Sequence, residues 1–181
     1  MTLPEIEVLG AGTEARVADF TAFFRSEYPG LVALATAVSG DRQTGEDIAA
    51  ETMSRAYRRW HRIGAYDRPG AWTRRVAVNL LHSRRRRLAS EVRALLRLRG
   101  EVDSADRAGR LDGQVVGADN FQRLIEPLAP RQRTAAALHY LHDLSVADIA
   151  AAMDCAEGTV KSHLHAARGT IAHAIEESPE P

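Results

Sequence analysis

The chain has 181 residues, enough for one domain or two small ones, and its formal net charge of zero excludes a uniformly basic nucleic-acid coat. Cys155 is the only cysteine, which excludes an internal disulfide and a multi-thiolate zinc site and fits a reducing interior. The N-terminal residues are acidic without the charged-then-apolar layout of a signal peptide, and no apolar run approaches the ~18 residues that span a bilayer, so a cytoplasmic chain without membrane insertion is expected.

Helical periodicity runs through the sequence and strand signals are scarce. Residues 1–14 read as a loose tail. From about 14 to 38, Val17, Phe20, Phe24, Leu31, Leu34 and Val38 recur at helical spacing, with Pro29 expected to break or kink the helix. Beyond Ser39-Gly40 a second helix is expected over about 44–60, with Ala49, Met53, Ala56 and Trp60 along one side and Asp47 and Glu51, four apart, on another. Residues 61–68 read as a loop ending at Pro69-Gly70, where Pro69 suits a helix start. Trp72, Val76 and Leu80 then form the apolar row of a third helix that runs into arginines 84–87.

Charge is segregated along this first half. Residues 1–54 hold nine acids against three arginines, whereas residues 55–99 hold fourteen arginines against Asp67 and Glu91. A basic block of this kind supplies a local field for a polyanion even though the total cancels. Residues 100–118 change character: four glycines and the acids Glu101, Asp103, Asp106 and Asp112 mark a low-hydrophobicity linker. A second helical segment starts near Asp119 and includes 130–142. The expected fold is therefore all-α, with two small helical domains (15–99 and 119–177) joined by a flexible linker and a short tail at 178–181.

The densest signal lies in residues 144–168. Ser145, with Asp148 three residues on, reads as the N-cap of a short helix carrying Ile149 and Met153 on one side. Asp154 and Cys155 make the turn, where Asp tolerates the left-handed conformation that a tight break demands. In the following helix Val160, Leu164, Ala167, Ile171 and Ile175 make a buried stripe, while Lys161, Ser162, His165 and Arg168 occupy the other face. A helix-turn-helix whose second helix sets an apolar seam behind cations and hydrogen-bond donors is suited to the major groove of DNA.

Taken together, residues 45–60 (GEDIAAETMSRAYRRW) and 70–87 (GAWTRRVAVNLLHSRRRR) resemble region 2 of the extracytoplasmic-function (ECF) sigma factors of the sigma-70 family, and 124–171 resembles their region 4. The two stretches come in the family's order and separation, without the region 3 of larger sigma factors. The resemblance implies a non-enzymatic factor that binds core RNA polymerase, through its β′ coiled coil and β flap, recognises −35 and −10 promoter elements and promotes melting of promoter DNA. Asp47 and Glu51 match the acidic positions of the core-binding helix, with Arg55 beside them; Ala50 stands where the family commonly has Gln. The implied −10 surface comprises Arg62, Tyr66, Arg68, Trp72, Arg75, Asn79, Arg84 and Arg85, with Arg74, Arg86 and Arg87 as further cations; Asn79 matches the family's asparagine near the base pocket. The implied −35 surface comprises Glu157, Thr159, Lys161, Ser162, His163, His165 and Arg168. His163 and Ala166 sit where many relatives carry Arg, which implies an altered −35 preference. An anti-sigma factor is an implied partner, and by family analogy the acidic linker would run through the RNA exit path.

Other readings make different demands. A helix-turn-helix regulator binding operators without polymerase is the main alternative, and an RNA-binding scaffold using arginines 84–87 as an adhesive patch is a third. A response regulator would need alternating strands and helices, which the N-terminal half lacks. His139 and His142 are three apart on a helix, but no third metal ligand is evident. No phosphate loop, nucleophile elbow or zincin signature occurs, so neither a catalytic site nor a cofactor is expected.

Overall fold

The structure, a computed structural model, describes residues 6–98 and 120–176, with side-chain environments over 16–97 and 121–173. The described residues form eight helices: α1 (Ile6–Ser39), α2 (Arg42–Arg58), α3 (Trp60–Ile63), α4 (Pro69–Leu98), α5 (Asn120–Ile125), α6 (Pro130–Tyr140), α7 (Val146–Met153) and α8 (Glu157–Glu176). The fold is all-α, with an N-terminal domain of α1–α4 and a C-terminal domain of α5–α8. The segment read as a linker and the last residues lie outside the described ones.

Three boundaries differ from the sequence expectation. Helix α1 begins at Ile6, so most of the stretch read as a tail is helical; Ile6, Glu7, Leu9, Ala11 and Glu14 are compatible with helix, and only the periodic apolar signal is lacking there. The helix also runs through Pro29 unbroken. Phe20, Phe23 and Phe24 before the proline and Leu31 and Ala35 after it belong to one apolar cluster, so tertiary packing on both sides holds the proline in a helical path despite its missing N–H. Finally, α2 ends at Arg58 and Trp60 opens the short α3, which makes the first half of the expected 61–68 loop helical. Trp60 is buried there, and its indole Nε1 donates to Asp19 Oδ2 at 3.1 Å.

The α1–α2 hairpin turns at Gly40, whose φ of +79° is a left-handed conformation that glycine adopts without strain. Asp41 follows in extended conformation and accepts from the Thr44 amide at 2.7 Å, which starts α2 at Arg42. The two helices approach closely at Gly45, where a Cβ would lie 2.8 Å from the Thr36 main-chain nitrogen. Ile48, Ala49, Met53 and Ala56 complete the buried face of α2, close to the expected row.

On α4 the buried side chains are Thr73, Ala77, Val78 and Leu81, while Trp72, Val76 and Leu80 are half-buried. The shift of register has a cause. Ala77 and Leu81 pack into the α1–α2 cluster, whereas Val78 joins a second cluster shared with the C-terminal domain. That second cluster unites Leu34 and Ala37 of α1 with Ile125, Leu128, Leu138, Ile149, Met153, Val160, Leu164 and Ala167. The two domains therefore share a core.

Arg133 ties this junction together. Its guanidinium donates to the main-chain oxygens of Ile125 (3.1 Å), Leu128 (3.3 Å) and Glu126, which lie at and beyond the end of α5, and to that of Val38 in α1 (3.4 Å). Carbonyls at a helix C-terminus lack intrahelical donors, and one planar fork supplies several at once. Within the C-terminal domain, Ser145 Oγ caps α7 by accepting from the Asp148 amide at 3.1 Å, and Asp154 ends it at φ +53°, as the sequence led us to expect.

Arg133→Lys keeps the charge but cannot reach these carbonyls together, and should cost about 1–3 kcal/mol in urea denaturation. Gly45→Ala should cost about 1–3 kcal/mol by the same measurement, because main chain has to move to admit the methyl group. Two histidines at the junction add a pH dependence. His142 makes a main-chain hydrogen bond with Gly30 of α1 and faces Arg74 of α4, itself paired with Glu27; burial, then Arg74, holds its pKa below the ordinary value. Burial, then Arg131, Arg85 and Arg86, does the same for His82. Both take up a proton more readily in the unfolded chain. Stability is therefore full above the unfolded histidine pKa of about 6.5 and is lost as pH falls below it. The thermal midpoint should drop between about pH 7.5 and 5.5, less steeply in His142→Gln.

Candidate nucleic-acid interface

Helix α8 buries Val160, Leu164 and Ala167 and exposes Glu157, Thr159, Lys161, Ser162, His165 and Arg168. The split follows from spacing, since the buried positions recur every three or four residues and the exposed ones fall between them. Ser162 Oγ donates to the Gly158 main-chain oxygen at 3.0 Å, and Arg168 Nε donates to Tyr140 Oη at 3.2 Å. Lys161 and His165 therefore stand on a face with donors on either side. His163 is half-buried, and burial, then the nearby Arg131, lowers its pKa.

The second surface lies on α3, the turn after it and α4. Arg62, Tyr66, Arg68, Arg75, Asn79, Arg84 and Arg85 are exposed, as are Arg86 and Arg87. Trp72 is half-buried against the Ala56–Trp60–Ile63 cluster and so serves the core while keeping an edge outside. Arg74 is not available as a phosphate cation: its side chain is 16% exposed and bound to Glu27 at 3.1 Å. Tyr66, Arg68, Trp72 and Arg75 line one wall of a cleft of about 260 Å³, and Leu144, Asp148, Ala151 and Ala152 of the C-terminal domain line the other.

Across that cleft two ion pairs join the domains. Arg68 makes a forked contact with Asp148, Nη1 to Oδ1 at 2.7 Å and Nη2 to Oδ2 at 3.1 Å, and Arg75 Nη2 lies 3.0 Å from Asp154 Oδ1. The Arg68 guanidinium, then the Ser145 hydroxyl, holds the Asp148 carboxyl below the usual carboxylate range. The sequence marked Asp148 and Asp154 only as capping and turn residues. Nothing in local spacing could reveal partners some eighty positions away.

The third surface is the outer side of α2. Asp47 is exposed and accepts from Gln43 Nε2 at 3.3 Å. Glu51 pairs with Arg55 at 2.7 Å and lies 4.0 Å from Arg58, and the Arg55 hydrogen bond lowers its pKa. One helix edge thus presents Asp47, Ala50, Glu51 and Arg55 together. Exposed pairs of this kind contribute little to stability and exchange readily for an outside partner.

Among the described residues no group of three or more His, Cys, Asp or Glu could hold a metal ion, and no helix is long and apolar enough to cross a membrane. His139 and His142 point to separate partners, the Leu144 main-chain oxygen at 3.3 Å and Gly30 of α1.

Comparison with known proteins accounts for the two domains. Residues 23–91 match the family described as sigma-70 region 2, and residues 118–171 match sigma-70, region 4. The chain is similar to the ECF RNA polymerase sigma factor SigL of Mycobacterium tuberculosis, 31% identical over 77% of this chain and 79% of that protein. It is also similar to the RNA polymerase sigma-E factor of Streptomyces avermitilis, 28% identical over 88% of this chain and 87% of that one. In fold it resembles the sigma factor RpoE from Bartonella quintana, solved in complex with the anti-sigma factor NepR, with a TM-score of 0.67 at 23% identity over 89% of this chain and 99% of that one. Two regions in the expected order, each on its own helical domain, place the chain in the ECF sigma factors of the sigma-70 family, factors that bind core RNA polymerase and recognise promoters.

Proposed function

We propose that this sigma factor divides its work among the three surfaces. The outer edge of α2 (Asp47, Glu51, Arg55) meets core polymerase, and the α3–α4 surface (Arg62, Tyr66, Arg68, Trp72, Arg75, Asn79, Arg84, Arg85) takes the melted −10 element. The open face of α8 (Glu157, Thr159, Lys161, Ser162, His165, Arg168) reads the −35 duplex. The observation that carries this reading is α8 itself, with a buried apolar seam behind an exposed row of donors on the second helix of a helix-turn-helix. Tyr66 and Trp72 offer aromatic surface to unstacked bases, and the neighbouring arginines offer charge to the strand's phosphates. The half-buried His163 and the small Ala166 leave fewer cations on the open face of α8, which supports a −35 preference resting on Lys161, His165 and Arg168. The chain supplies specificity and strand separation, while the chemistry of RNA synthesis stays with the polymerase. Regulation by an anti-sigma factor is supported by the complex in which the RpoE of similar fold was solved.

Transcription in vitro from a pool of promoter fragments, with bacterial core polymerase alone and with this protein added, tests the reading. Discrete protein-dependent transcripts are expected, and DNA binding without any such transcript would favour the operator-binding regulator instead. Lys161→Ala should weaken −35 duplex binding several-fold and lower the salt slope by about 0.9, with core binding unchanged. Asp47→Ala with Glu51→Ala should weaken core binding and leave duplex binding intact, as read by co-purification with core and by electrophoretic mobility shift.

A further inference from the structure

The apolar face of α4 continues past the part that packs into the fold. Thr73, Ala77, Val78 and Leu81 are its buried section, and Leu88, Val92, Leu95 and Leu96 carry it on, within about 100° of one another around the axis. None of these last four side chains belongs to the apolar clusters of the described residues. Leu95, 60% exposed, is the most exposed large apolar side chain among them. The hydrogen bonds printed by this stretch stay inside the helix: Arg86 donates to Ser83 Oγ at 3.3 Å, Arg87 to Glu91 at 2.9 Å and Arg93 to the Ala89 main-chain oxygen at 3.0 Å. Residues 84–97 hold six arginines against Glu91. By helical spacing Arg84 and Arg87 flank one side of the apolar stripe, and Arg86, Arg93 and Arg97 the other. The match to sigma-70 region 2 ends at residue 91, so the last turns of the stripe lie beyond it.

We propose that this end of α4 is a docking surface for a membrane rich in anionic phospholipid, on which the helix lies in the plane of the headgroups. Such a helix needs a short apolar stripe to sink among acyl chains and cations along both edges at headgroup depth. It need not be able to cross a bilayer, and α4 is not long and apolar enough to do so. Arginine stems follow the apolar side chains inwards while their guanidinium groups stay with the phosphates. Charge selects the lipid, since each cation near an anionic surface strengthens partitioning about fivefold. The stripe selects lipid over nucleic acid: a phosphodiester strand satisfies the arginines but gains nothing from exposed Leu95 and Leu96. A second copy of α4 would bury the leucines only by setting arginine against arginine. The surface is independent of the three assigned above to polymerase and promoter.

Flotation of the full chain with vesicles of equal parts phosphatidylglycerol and phosphatidylcholine tests the proposal, with phosphatidylcholine vesicles as reference. Binding to the anionic vesicles should be at least about tenfold stronger and should fall as salt is added. Leu95→Gln with Leu96→Gln keeps every charge and the helix propensity, and should weaken that binding at least about fivefold. Arg93→Gln with Arg97→Gln should weaken it at least about tenfold. Neither pair should change duplex binding by mobility shift. Leu95→Cys on a Cys155→Ser background, labelled with an environment-sensitive dye, should shift its emission to the blue only when anionic vesicles are added. Equal flotation of wild type and the Leu95/Leu96 variant, both helical by circular dichroism, overturns the proposal by leaving only general attraction to arginine. Loss of DNA binding in the Arg93/Arg97 variant, without any flotation of the wild type, gives the arginines to nucleic acid instead. Blue emission from the free chain at every concentration overturns the proposal by showing that the chain's own residues 99–119 cover the stripe. Blue emission that grows with protein concentration alone overturns it in favour of a second copy.

Discussion

The packing of Leu34, Ala37 and Val78 into the core of the C-terminal domain is the contact on which the arrangement of this chain depends. Each domain here is small, and a small domain buries too little apolar surface to be strongly stable alone. By sharing one cluster the two halves gain burial that neither has by itself. The geometry then places everything else: α7 lies along α4, Arg133 reaches from α6 back to Val38, and His142 settles on Gly30. The two ion pairs between α4 and the helix-turn-helix, Arg68 with Asp148 and Arg75 with Asp154, follow from that one seam.

A factor assembled in this way has to satisfy two demands that oppose each other. Its surfaces must bind promoter DNA and polymerase, yet free arginines and aromatic edges attract any polyanion or apolar partner at hand. Pairing Arg68 and Arg75 within the chain answers both demands, because weak exposed pairs are cheap to break when a stronger competitor arrives. The basic block from Arg55 to Arg99 is thus distributed by structure. Arg74 is spent on Glu27 in the fold, Arg68 and Arg75 are held across the cleft, and Arg62, Arg84 and Arg85 remain at the surface.

How much of this was legible depended on distance along the chain. The helix-turn-helix was readable almost residue by residue, since Ser145, Asp154, Val160, Leu164 and Ala167 act through neighbours one to four positions away. The buried side of α2 was readable for the same reason. Pro29 misled because its local penalty is real and is overridden only by packing. The register of α4 shifted because a helix wedged between two cores buries two stripes, and a search for one stripe finds their average. Arg74, Asp148, Asp154 and Arg133 could not be assigned from sequence, because each is defined by a partner outside its own helix.

The distance between α4 and α8, followed from the free chain to the polymerase complex, tests the account most directly. With Cys155→Ser as background, spin labels at Ser83 and Gly169, both exposed and away from the cleft, report that distance by pulsed electron resonance. One narrow, short distribution is predicted for the free chain, replaced by a longer one when core polymerase and promoter DNA are added. A broad distribution in the free chain, or a short one unchanged by polymerase and promoter, would contradict it.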